Sequence, residues 1–154
     1  MFLASIACSI NSVESALKFE YMKIHREIAN EILNTFTLGD FIKNSGEKLK
    51  EIKAYILLKR IILLNGIRVG FFHFNTNKLR KSASEILKVK FMNEESGWYT
   101  FLPTGGMKLK FLSASVYNIS LDVLEKIYPR SNVRRTLSIV QKDWKEYRKR
   151  NPIK

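Results

Sequence analysis

At 154 residues and 45% hydrophobic, the chain can bury one core but is short for two full-size domains. Lys and Arg number 27 against 14 Asp and Glu, a net charge of +13 that exceeds the roughly 2–8 a small domain needs for solubility. One cysteine (Cys8) and two histidines (His25, His73) exclude a disulfide scaffold and a Cys- or His-rich metal centre, so no metal or cofactor is expected.

Phe2 to Ile10 is apolar and contains Ser-Ile-Ala-Cys-Ser, but no positively charged stretch precedes it, so a secretory signal is not expected. No run reaches the ~18 apolar residues of a membrane span. The strongest, Tyr55 to Leu64, is interrupted by Lys59 and Arg60. These features predict a cytoplasmic or virion-associated protein without a membrane span.

Asn11 or Ser12 is read as the cap of a first helix. Val13, Leu17, Tyr21, Ile24, Ile28 and Ile32 carry it to about Phe36. Thr37-Leu-Gly-Asp40 breaks it, and Asp40 is read as the cap of a short turn through Lys43. A second long helix is expected from Ser45, apolar on most sides after Tyr55 and the most buried of all. Asn65-Gly66 is its expected stop, because glycine takes the left-handed conformation without steric cost.

Ile67 to Phe74 (IRVGFFHF) reads as a strand, and Asn75 or Thr76 as the cap of a short helix holding Leu79, Ala83 and Ile86. Leu87–Met92, Trp98–Leu102 and Met107–Leu112 then read as three strands of an antiparallel meander, joined by two short loops. Asp122 to Tyr128 is a short helix stopped by Pro129, and a last helix runs from Ser131 or Asn132 to about Arg150. The expected fold is α+β: N-terminal helices on a small antiparallel β-meander with a basic C-terminal helix, all in one domain spanning 1–154.

The charge is unevenly divided. Residues 1–66 carry 9 Lys/Arg and 7 Asp/Glu, whereas residues 67–154 carry 18 and 7. The excess therefore sits in the second part, as a polyanion-facing surface requires. In the favoured register Leu87, Val89, Phe91, Trp98, Thr100, Leu102, Met107, Leu109 and Phe111 line a core face. The opposite face then carries two rows, Lys88–Phe101–Lys108 and Lys90–Tyr99–Lys110. Four ammonium groups flanking two rings suit phosphates and stacked bases. A plain solvated face, with lysine stems covering the rings, is the competing explanation.

In the last helix, Val133, Leu137, Val140, Trp144 and Tyr147 form an apolar seam that suits packing on the domain itself. Arg134, Arg135, Lys142, Lys145, Arg148, Lys149 and Arg150 flank it, a pattern that suits a phosphate backbone. Anionic membrane, an acidic groove or the helix dipole would also suit such a flank.

No phosphate-binding glycine loop, GxSxG or HExxH motif is present. Arg68-Val-Gly-Phe-Phe-His73 has the Arg-x4-His spacing of the HEPN family of helical ribonucleases, but its residues read as a strand, and no catalytic residue is assigned. Residues 46–113 resemble the winged-helix DNA-binding domains of phage and plasmid regulators and replication proteins. The resemblance rests on Ala-Tyr-Ile-Leu-Leu-Lys (54–59), the basic Asn-Lys-Leu-Arg-Lys-Ser (77–82) and a hairpin wing at 98–112. It implies DNA contacts by Lys78, Arg80 and Lys81.

Together these readings predict a non-enzymatic nucleic-acid-binding protein that contacts mainly phosphates. Two alternatives are a structural component of a larger assembly (a phage particle, a ribonucleoprotein or a homo-oligomer) and a ribonuclease or toxin.

Overall fold

A computed structural model describes residues 2–28, 30–88 and 106–129, and positions 135, 138, 139, 142, 143, 146 and 149 beyond them. Every regular element among the described residues is helical, which overturns the expected α+β class. The elements are α1 (Phe2–Ile24), α2 (Asn30–Thr35), α3 (Leu38–Glu51), a 3-10 turn (Tyr55–Leu57), α4 (Leu58–Phe72), α5 (Thr76–Leu87) and α6 (Gly106–Ile127).

Helix α1 begins nine residues before its expected cap. Ile6 and Ile10 extend the stripe of Val13, Leu17 and Tyr21, and all five are buried. Asn11 and Ser12 are instead exposed mid-helix positions, and the Ser12 hydroxyl donates to the Cys8 carbonyl at 2.8 Å. The stripe fails at Ile24, which is 52% exposed, and the helix ends there rather than at Phe36. Leu33 restores burial on the short α2.

Thr37, not Asp40, caps α3. The Thr37 amide and hydroxyl both donate to Asp40 Oδ2, at 2.8 and 3.0 Å. The Leu38 amide donates to Glu14 Oε2 at 3.1 Å, tying the start of α3 to α1. Burial disfavours the charged Asp40 carboxyl, but hydrogen bonds from Lys43 and Thr37 outweigh it and hold the group below its usual range. Asn44, Ser45 and Gly46 all have positive φ, so α3 is kinked where the second helix was expected to start. Phe41 and Leu49 are buried on either side of the kink.

Helix α4 is the centre of the molecule and packs against α1, α3, α5 and α6. The expected burial from Tyr55 onward holds on one face only: Leu57, Ile61 and Leu64 are buried, whereas Tyr55, Ile56 and Ile62 are exposed, and the boundaries differ as well. Asn65-Gly66 does not stop the helix, and the expected strand at Ile67–Phe74 is helical through Phe72. Ile61, Leu64, Ile67 and Phe71 are its core residues. Helix α5 follows as expected: the Asn75 side chain accepts from the Lys78 amide at 3.0 Å, and Leu79 and Ala83 are fully buried.

The meander is corrected too. Leu87 ends α5, Lys88 closes it in the left-handed conformation, and Met107–Leu112 forms the first turns of α6. The helix thus occupies the second strand of the expected wing, while residues 89–105 lie outside the described residues. Alternation over six residues is too short to decide between periods. Leu109, Leu112, Val116 and Val123 are buried at helical spacing, whereas Phe111, assigned to the core face of the sheet, is 56% exposed. Helix α6 packs mainly on α1, and the Tyr128 hydroxyl donates to the Ala16 carbonyl at 3.4 Å, just before the expected stop at Pro129.

Candidate nucleic-acid interface

The chain puts two glycines four residues apart, Gly66 and Gly70, on one face of α4. A Cβ on Gly66 would lie 1.9 Å from the Ser82 hydroxyl oxygen. One on Gly70 would lie 2.7 Å from Leu79 Cα and 2.9 Å from its amide nitrogen. Helices α4 and α5 therefore meet backbone to backbone, an approach only glycine permits.

Beside this contact lies a cavity of about 320 Å³. Ile42, Ile62 and Leu63 form its apolar wall; Asn65 and Ser82 supply its buried polar groups. Lys59 of α4 and Lys78 and Lys81 of α5 stand around it with a single carboxylate, Glu85. Lys59 Nζ is 3.0 Å from Glu85 Oε1. That hydrogen bond and charge hold the Glu85 carboxyl below its usual range, with Lys88 and Lys81 adding to the effect. Three ammonium groups against one paired acid leave the rim cationic.

Asn65 is the unusual member. It is 8% exposed, and its Oδ1 is buried without a hydrogen-bond partner. It lies beneath the first turn of α3, where both amide atoms are 3.9 Å from the position a Cβ on Gly39 would take.

Of the residues picked from sequence, Lys78 and Lys81 reach this cavity together. Arg80, one position before Lys81, is half-buried and does not line it. Lys88 is exposed at the end of α5. Positions 108 and 110 fall on α6, where residues two apart are separated by about 200° around the axis, so the shared lysine face of the sheet does not form. Lys110 is exposed. Arg135, Lys142 and Lys149 are exposed at helical positions, interleaved with Asp143 and Glu146. Lys90, Tyr99, Phe101, Arg134, Lys145, Arg148 and Arg150 lie outside the described residues, as does the apolar seam of the last helix. Sequence reasoning missed Lys59, Asn65 and Ser82. The four-residue glycine spacing was the signal that could have brought α4 and α5 together.

Arg68 and His73 lie on a helix end, not on a strand. Arg68 Nε is 3.8 Å from Glu14 Oε2, and Glu14 also holds Lys18 at 3.0 Å and the Leu38 amide. His73 is the exposed C-cap. A second polar cluster joins the end of α1 to the end of α3: His25 Nε2 is 2.5 Å from Glu51 Oε2, and the Tyr21 ring stacks on His25 at 4.3 Å. Burial pushes the Tyr21 hydroxyl up, and the Glu51 charge adds to this. The pair fastens the end of α1 to the end of α3.

Among the described residues no group of three or more His, Cys, Asp or Glu is placed to hold a metal, and no helix is long and apolar enough to cross a membrane. No protein family, curated protein or solved structure matches the chain.

Proposed function

We propose that this protein binds nucleic acid without catalysis, contacting mainly phosphates. The observation that carries the reading is the convergence of Lys59, Lys78 and Lys81, from two helices, around one cavity with a single acid. The +11 balance of residues 67–154 and the exposed Arg135, Lys142 and Lys149 support it.

Each ammonium group that neutralises a phosphate releases a counterion, so affinity must fall with salt. Three contacts to a single strand correspond to a log–log slope of roughly −2, or at least about fifteenfold weaker binding between about 50 and 200 mM salt. The triple variant Lys59→Ala/Lys78→Ala/Lys81→Ala should bind an oligonucleotide more weakly and with a slope shallower by roughly 2. A flat salt dependence in the parent protein, or an unchanged slope in the variant, overturns the reading.

A second reading, a component of a larger assembly, is favoured by the exposed apolar side chains of Ile56 (78%) and Phe74 (75%). A monodisperse monomer by light scattering at high protein concentration would exclude it.

A further inference from the structure

We infer that the nucleic acid taken at the lysine cavity is a single strand, and that Tyr55 is the platform on which one of its bases stacks. The phosphate contacts are those of the proposed function, on which this assignment rests; the stacked base goes beyond it.

Tyr55, Lys59, Ile62 and Gly66 follow one another at helical spacing along the 3-10 turn and α4. Lys59, Ile62 and Gly66 line the cavity, so Tyr55 stands one turn, roughly 5 Å, beyond its Lys59 end. The ring is held from the side of α3. A Cβ on Gly46 would lie 3.5 Å from its Cδ2 and Cε2 atoms, and Lys50 Nζ is 5.0 Å from its centroid. Both neighbours belong to α3. The residue nevertheless stays 46% exposed, so an aromatic surface fixed in place borders the ammonium groups of Lys59, Lys78 and Lys81. Phe19, Phe72, Phe74 and Phe111 are exposed as well, but none lies on this stripe.

Cations that track a backbone beside an aromatic ring are the two parts of a single-strand site. Stacking on the ring tolerates any sequence, because every base has a π face, and no base-selective group is required. Inside a duplex both faces of a base are covered by its neighbours, so Tyr55 reaches one only after it is unstacked, which is costly.

The test is fluorescence anisotropy with labelled oligo-dT, an abasic strand and a duplex, all of equal length. The parent should bind oligo-dT more tightly than the abasic strand. Tyr55→Ala should weaken oligo-dT binding by about tenfold with its salt slope unchanged, since the substitution removes a ring and no charge. Abasic-strand and duplex affinities should stay where they were. Tyr55→Phe keeps the ring and should bind as the parent does. Tyr55→Leu fills the place beside Gly46 without a π face and should lose the preference as alanine does; circular dichroism verifies both folds. Equal binding of oligo-dT and abasic strands with a steep salt slope overturns the platform and leaves the phosphate-binding function standing. So does a preference for oligo-dT that survives unchanged in Tyr55→Ala. A duplex bound more tightly than oligo-dT overturns the single-strand assignment. Failure of the parent to bind any of the three overturns the nucleic-acid reading, and this assignment with it.

Discussion

Replacing Gly70 by Ala separates local helix preference from helix packing, because the two predict opposite signs. Alanine is favoured over glycine inside a helix by about 1 kcal/mol, so α4 in isolation would gain. In the folded protein the added methyl would stand 2.4 Å from Leu79 Cβ, 2.7 Å from its Cα and 2.9 Å from its amide nitrogen. Two of those atoms are backbone, and no rotamer change relieves the overlap. Restoring ordinary carbon–carbon separation of about 3.5–4.0 Å requires α5 to move out by on the order of 1 Å. That would open the seam around Leu79 and Ala83, both fully buried. Overpacking of this kind costs about 1–3 kcal/mol and occasionally more. At the upper end, offset by the propensity gain, Gly70→Ala should lose about 2 kcal/mol, which lowers Tm by roughly 4–8 °C in a chain of this length. Gly66→Ala should cost less, because its closest neighbour is the Ser82 hydroxyl, which can rotate away. The assay is thermal and urea unfolding of both variants beside the parent. A Gly70→Ala protein as stable as the parent, or more stable, would refute backbone contact between α4 and α5.

Asp40→Asn removes the carboxylate that accepts from both Thr37 groups and should cost about 1 kcal/mol at neutral pH. The folded carboxyl titrates below its ordinary value of 3.8, so its contribution is complete above that value. As the pH falls through this window the contribution disappears, so urea titrations of parent and variant should converge below about pH 4; a gap that widens on acidification would reverse the assignment. Asn75→Ala leaves the Lys78 amide without its acceptor and should cost about 1 kcal/mol, whereas Asn75→Ser should recover most of it.

The sequence was legible where one local signal acted alone. The Asn75 cap, the Leu79/Ala83 stripe, the Val13/Leu17/Tyr21 stripe and the stop at Pro129 all needed only residues within a turn or two. It misled where local and distant forces disagreed. Ile67 to Phe74 is rich in β-branched and aromatic residues after Asn-Gly, and strand propensity is largely a measure of fit to a half-buried surface. The buried centre of a helical bundle offers such residues an equal home once Gly66 and Gly70 let α5 approach. Met107 to Leu112 alternates for too few residues to reveal a helix whose period emerges only through Val116 and Val123. The candidate site divided in the same way. Lys78 and Lys81 stood out because they are neighbours in sequence, whereas Lys59 and Asn65 join them only through packing.

The same packing makes Asn65 costly to the free protein. It occupies the central helix beside Gly66, and an unsatisfied buried acceptor costs about 1–3 kcal/mol. Leucine has nearly the same shape, carries no polar atom and is the better helix former. Asn65→Leu should therefore raise the Tm of the ligand-free protein by several degrees, on the scale of roughly 2–4 °C per kcal/mol for a chain of this size. A buried acceptor left unmet gains stability when an apolar group replaces it, whereas a residue kept for structure loses stability when replaced. Thermal unfolding decides between them: if Asn65→Leu melts below the parent, the carboxamide belongs to the scaffold, and its oxygen is satisfied within the fold.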